Sequence, residues 1–134
     1  MSESWSRLEI EAAVADYFVM LCKELRREAF NKAEHNRRLR MLLRDRTKGS
    51  VEKKHQNISA VMIELGYPYI CGYKPLKNYQ ELLREVVEDH LESDESHAFD
   101  KLVQDVVADA GVKKLPAIRF DGMEVKAPER EVQR

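Results

Sequence analysis

Residues 46–79 read RTKGSVEKKHQNISAVMIELGYPYICGYKPLKNY. Arg46-Thr47-Lys48-Gly49-Ser50 reads as a tight turn feeding a helix, with Ser50 placed to accept from the first free backbone N–H groups, so a helix is expected from Val51. Val51, Ile58, Met62 and Leu65 recur as one stripe of a 3.6-residue period, while Lys53, Gln56, Asn57 and Glu64 fall away from it toward solvent or a ligand. Gly66 follows the last apolar position, where a helix commonly ends in a left-handed residue that glycine adopts without steric cost.

The loop Tyr67-Pro68-Tyr69-Ile70-Cys71-Gly72-Tyr73-Lys74-Pro75 then forbids regular helix through two prolines and a glycine. With Tyr79 it holds four of the five tyrosines. Two roles stand open for these rings: they plug the gap between two helices with each hydroxyl partnered at an edge, or Tyr69 and Tyr73, beside Lys74, stack on a base.

Working outward, Ser6 and Glu9 form an S-x-x-E capping box for a long first helix, about residues 7–28. Leu8, Ala12, Ala15, Val19, Cys22 and Leu25, flanked by Tyr17, Phe18 and Leu21, give it a broad apolar face, and Trp5 is placed to staple back over its first turn. Asn31 and Glu34 open a second helix to about Arg44, in which Leu39, Leu42 and Leu43 pack. Asn78 and Glu81 repeat the pattern for a helix over 79–92 carrying Leu82, Leu83, Val86, Val87 and Leu91. Ser93-Asp94-Glu95-Ser96 caps a last helix to 110, with Phe99, Leu102, Val103, Val106 and Val107 as its stripe and Gly111 as its stop. Residues 1–111 are thus expected to be an all-α, compact five-helix domain with a helix-turn-helix-like centre. Residues 112–134 differ, because 117–126 alternate around Asp121-Gly122 as a β-hairpin or the start of a linker.

A chain of 134 residues, 43% hydrophobic and 35% charged with five glycines and four prolines, suits one helix-rich domain. No apolar run approaches the roughly 20 residues that span a bilayer, and MSESWSRLEIE lacks a signal-peptide pattern, so a cytoplasmic protein without a membrane partner is expected. Cys22 and Cys71 form no CxxC pair, and the histidines at 35, 55, 90 and 97 lack zinc spacing, so no metal or cofactor is expected. His55 has no acid–base partner evident in sequence and Ser59 no nucleophile-elbow glycines, so the chain reads as non-catalytic.

Charge carries the long-range information. Residues 32–54 hold nine Lys/Arg against three Asp/Glu, a balance of +6, whereas 81–109 hold two against ten, a balance of −8. Either these are solvated faces of opposite sign that attract each other inside the fold, or the basic block meets a nucleic acid. On the second reading Arg37, Arg38, Arg40, Arg44, Arg46, Lys48, Lys53 and Lys54 neutralise phosphates, and Thr47 and Ser50 offer a helix N-terminus. Gln56 and Asn57 then supply amides that read adenine edges, with Tyr69, Tyr73 and Lys74 at the base. The alternative is a protein-interaction or dimerisation module, in which the wide first helix and the hairpin meet another subunit.

The run RTKGSVEKKHQNISAV at 46–61, followed by GYKP at 72–75 and preceded by YF at 17–18 and NKAEHNRRLR, resembles a helical N-terminal module of bacterial multidomain proteins of the modification-dependent restriction kind. Such modules stand ahead of HNH-type or restriction-endonuclease-like domains, and the similarity covers roughly residues 5–90. Lys53 departs from the pattern, which has a bulky apolar or aromatic residue there. The resemblance implies a targeting or assembly module of a DNA-acting defence protein, with a nuclease domain elsewhere and no catalytic role of its own.

Overall fold

Ser6 accepts the N–H of Glu9 at 3.2 Å while the Glu9 carboxylate accepts that of Ser6 at 2.9 Å, closing the capping box that starts α1 (Arg7–Leu25). The computed structural model describes residues 4–93 and 96–110; among them the chain is helical and loop only, with α2 (Lys32–Leu42), α3 (Lys48–Glu64), α4 (Glu81–Glu92) and α5 (Ser96–Ala110) following. The expected all-α five-helix domain is what forms. The hairpin or linker expected over 112–134 lies outside the described residues, as do Asp94 and Glu95 of the cap expected for α5.

Helix boundaries moved where the deciding interaction was not the one expected. α3 begins three residues earlier, because Thr47 and not Ser50 is the N-cap: Thr47 Oγ1 accepts the Ser50 N–H at 3.1 Å. Gly49 and Ser50 therefore sit inside the first turn. α4 begins at Glu81 behind Gln80, whose side chain makes no cap, so the Asn78–Glu81 box does not form. α1 stops at Leu25 because Arg27, without being glycine, takes the left-handed position at φ 62°, with Glu28 N–H bonded back to Lys23 O at 2.8 Å. Gly66 at φ 85° ends α3 as expected, with Tyr67 N–H returning to Met62 O at 2.9 Å.

α1 packs against all four other helices, and α3 against α1, α2 and α4. The buried face of α1 is Ile10, Ala13, Val14, Tyr17, Phe18, Met20 and Leu21, whereas Leu8 is 78% exposed and Ala15 and Val19 face solvent. The apolar stripe expected there was rotated: a helix apolar nearly all round has no strong periodicity from which to choose a face. Of the leucines expected to pack on α2, Leu39 is buried; Leu43 is buried just past the helix end, and Leu42, expected inside, is 76% exposed. Phe18 seals the α1–α4–α5 seam, its ring 4.3 Å from His90 and 5.0 Å from Phe99.

The tyrosine loop is stapled down by the core. The fully buried Tyr17 hydroxyl shares a 2.7 Å hydrogen bond with Ser59 on α3 and accepts the Ile70 N–H at 3.0 Å. Farther along, Leu76 donates its N–H to Gln56 O at 3.1 Å, and Asn57 Nδ2 donates to Leu76 O at 2.6 Å. The first role weighed for the rings is the one the fold uses for Tyr73, which is buried 5.0 Å from the His55 ring and 6.5 Å from Tyr17. Burial pushes its hydroxyl up to about 12.

An Asp16–His35–His55 cluster, with His55 buried and the other two partly so, joins α1, α2 and α3. His35 Nδ1 donates to Asp16 Oδ1 at 2.7 Å, and His55 Nε2 approaches Asp16 Oδ2 at 3.3 Å, a contact too poorly aligned to count as a hydrogen bond. Burial pushes the Asp16 carboxyl up, but the two imidazoles outweigh it and leave the value below the ordinary one. The unfolded chain then takes up the proton first as pH falls. The stabilisation is complete above the ordinary carboxylate range near pH 4 and disappears as pH drops through the depressed value. Acid unfolding of Asp16→Asn, followed by circular dichroism, is expected to lose part of the stability difference between pH 6 and pH 3 that the parent shows. An unchanged pH profile refutes the assignment.

Candidate nucleic-acid interface

α2 packs on α1 and α3 and, among the described residues, makes no contact with α4 or α5. Lys32, Arg37, Arg38 and Arg40 on α2 therefore lie away from α4 and α5, whereas Lys48, Lys53 and Lys54 of the same basic block stand on α3, which packs against α4. The acidic helices find cations elsewhere: Arg7 on α1 reaches Asp89 at 2.6 Å and Glu85 at 3.5 Å, and Arg84 pairs with Glu64 at 2.8 Å and Glu88 at 3.2 Å.

The basic corner is built where the end of α2 meets the first turn of α3. Asn36, buried on α2, donates Nδ2 to Lys48 O at 3.2 Å and accepts from Arg40 Nε at 2.7 Å, so it locks Arg40 beside the amino end of α3. Arg44, Lys48 and Lys53 are exposed on the same segment. Arg37 and Arg38 are exposed too but share Glu34, at 2.6 and 3.1 Å, which cancels part of their charge. Lys74 and Tyr69 lie on the loop, Lys74 exposed and Tyr69 half-buried.

Three expected contacts, those of Arg46, Asn57 and Tyr73, are corrected by their surroundings. Arg46, with a side chain only 10% exposed, pairs with Glu9 at 2.8 Å, donates to Ser4 O at 3.2 Å and lies over the Trp5 ring at 4.8 Å, so it fastens α1 to the turn and does not face a phosphate. Its guanidinium, together with the Ser6 cap, holds the Glu9 carboxyl below the ordinary range. Asn57 is buried and spends its amide on Leu76, so it reads no base edge. Gln56 is half-buried next to it, with Leu76 seated on its carbonyl. Tyr73 has its ring covered, with Lys32 Nζ 4.5 Å from its centre, and cannot stack on a base. For Asn57 the cause is the burial of α3 on most sides, whereas Arg46 in the turn before it and Tyr73 in the loop after it are held by partners on other elements; a helix so enclosed offers its first turn, and not its length, to a groove.

That first turn borders a cleft of about 720 Å³, with Thr47, Gly49, Ser50, Lys53 and Lys54 on one wall and Trp5 and Tyr79 on the other. Trp5, expected to staple over the first turn of α1, belongs to the same buried core as Ile10. Its backbone pairs with the Gln80 side chain, N–H to Oε1 at 3.2 Å and carbonyl from Nε2 at 3.0 Å, and its ring lies beneath Arg46 and 5.0 Å from Lys54 Nζ. Trp5, Asn36 and Gln80 were not among the expected site residues; their partners lie 12 to 75 residues away, and no local pattern marks them. Lys54 is more enclosed than expected, and burial, then the nearby Arg46, pushes its ammonium below the ordinary lysine value.

The fold and this corner define a small helical domain with a basic corner where α2 meets the first turn of α3. No family model, curated protein or solved structure matches the chain. No helix among the described residues is long and apolar enough to cross a membrane.

Proposed function

We propose that this chain is a non-catalytic DNA-binding module that grips backbone phosphates with the corner formed by α2 and the first turn of α3. The observation that carries this reading is the balance of +6 over residues 32–54 together with the placement of α2, which bears four of the nine cations and, among the described residues, touches neither α4 nor α5. A surface of one sign on a protein of net charge −1 orients a polyanion toward that side and repels it from the other. With Asn57, Arg46 and Tyr73 engaged inside the fold, binding rests on phosphates and carries little base-edge information. The resemblance of residues 46–61 to restriction-associated modules supports a targeting role in a defence protein with a separate nuclease domain.

The test is fluorescence anisotropy of a labelled duplex across a salt series. The affinity is expected to fall steeply as salt rises, since each phosphate contact releases about 0.9 counterion. No binding at low salt refutes the reading. A second reading, self-association, is favoured by Leu8 and Val19, which lie eleven residues apart on one exposed face of α1. Sedimentation of a dimer that Leu8→Ser with Val19→Ser dissociates, in a chain that ignores DNA, establishes it.

A further inference from the structure

The cleft at the amino end of α3 combines features beyond a helix terminus. Lys54 is only 7% exposed, yet among the described residues its ammonium has no hydrogen-bond or ion-pair acceptor, facing only the Trp5 ring. The ammonium itself is not among the buried atoms left unsatisfied, so the tip of this buried side chain opens on the cleft. Lys53 lines the same wall, and no carboxylate among the described residues lines the cleft; Glu9, the acid that acts electrostatically on Lys54, is committed to Arg46. Thr47 satisfies the N–H groups of Ser50 and Val51, which leaves those of Lys48 and Gly49 without acceptors among the described residues. A Cβ built on Gly49 meets nothing within 4 Å, so bare backbone faces open space.

We propose that this cleft is a phosphate-binding site, in which the ammonium groups of Lys53 and Lys54 and the N–H groups of Lys48 and Gly49 hold the oxyanion. The 17-residue helix adds its positive end to the same point. A bound dianion places a counterion beside Lys54 and opposes the lowering that burial imposes on its ammonium. At about 720 Å³ the cleft exceeds a bare oxyanion and falls in the range of small-molecule sites, so the phosphate is carried by a larger group such as a nucleotide. The assignment deepens the DNA reading, on which the identity of the natural carrier rests.

Amide NMR of the 134-residue chain with inorganic phosphate, deoxyadenosine 5′-monophosphate and deoxyadenosine tests it. Saturable shifts of the Lys48 and Gly49 amides are expected with the first two, tighter for the monophosphate, and none with the nucleoside. Lys54→Met keeps the buried stem and is expected to weaken binding at least tenfold. Gly49→Asp places a carboxylate in open space in the first helical turn, where it favours the helix, and is expected to abolish phosphate binding in a folded protein. Unchanged affinity in both variants, or unsaturable shifts scattered over the surface lysines, overturns the site. Duplex binding that leaves these amides unmoved also overturns it while sparing the basic-corner reading. Phosphate binding by a chain that ignores duplex DNA sustains the site and sinks that reading.

Discussion

Replacing Ile58 by alanine is expected to lower the unfolding free energy by about 2–5 kcal/mol, the largest stability effect of any single truncation on α3. Ile58 is fully buried on the helix that α1, α2 and α4 all pack against, and it precedes Ser59, which holds the Tyr17 hydroxyl. A cavity at this point cannot be filled by a loop moving in, because its neighbours are held by hydrogen bonds that link α1, α3 and residues 67–80. Lys53→Ala, five positions earlier on an exposed face of the same helix, is expected to change stability by no more than about 0.5 kcal/mol. Chemical denaturation of the two variants decides the matter, and equal midpoints would mean that the buried face of α3 is misassigned.

The second large effect concerns binding. Neutralising Arg40, Arg44, Lys48 and Lys53 together is expected to flatten the salt dependence of duplex affinity by about 3 to 4 in log–log slope, since each contact contributes about 0.9. Between 50 and 200 mM salt that difference amounts to roughly a hundredfold. The loss should be the same for every DNA sequence, because phosphate contacts position a protein without reading bases. Arg46→Ala makes the contrast: it breaks the pair with Glu9 and uncovers Trp5, so it should lower stability while the salt slope of the folded protein stays as in the parent. Parallel slopes for the quadruple variant and the parent would remove phosphate contact from this corner.

The two effects separate residues that look alike in sequence. Arg46 and Lys48 are two positions apart in the same basic run, yet one is enclosed between Glu9, Ser4 and Trp5 and the other faces solvent. Asn57 and Lys53 lie one helical turn apart on α3, and only Lys53 keeps its polar end outside.

The sequence by itself determined whatever is settled within a few residues. The apolar stripes, with the caps at Ser6 and Asn31, located five helices, because an N-cap acts on donors two or three positions away and a stripe on positions three and four apart. Gly66 stopped α3 for the same local reason, and the charge blocks were countable without any fold. Where local signals were silent or doubled, tertiary structure decided. It chose Thr47 over Ser50 as cap, let Arg27 end α1 without glycine, and selected the Ile10–Met20 face of a helix that is apolar nearly all round. It also brought Asp16 to His35 and His55, Trp5 to Gln80, and Asn57 to Leu76, contacts spanning 19 to 75 residues. Such pairings exist only once the hydrophobic faces have packed, since an isolated cation, amide or tyrosine exposes the same chemistry to water whichever partner the fold later gives it.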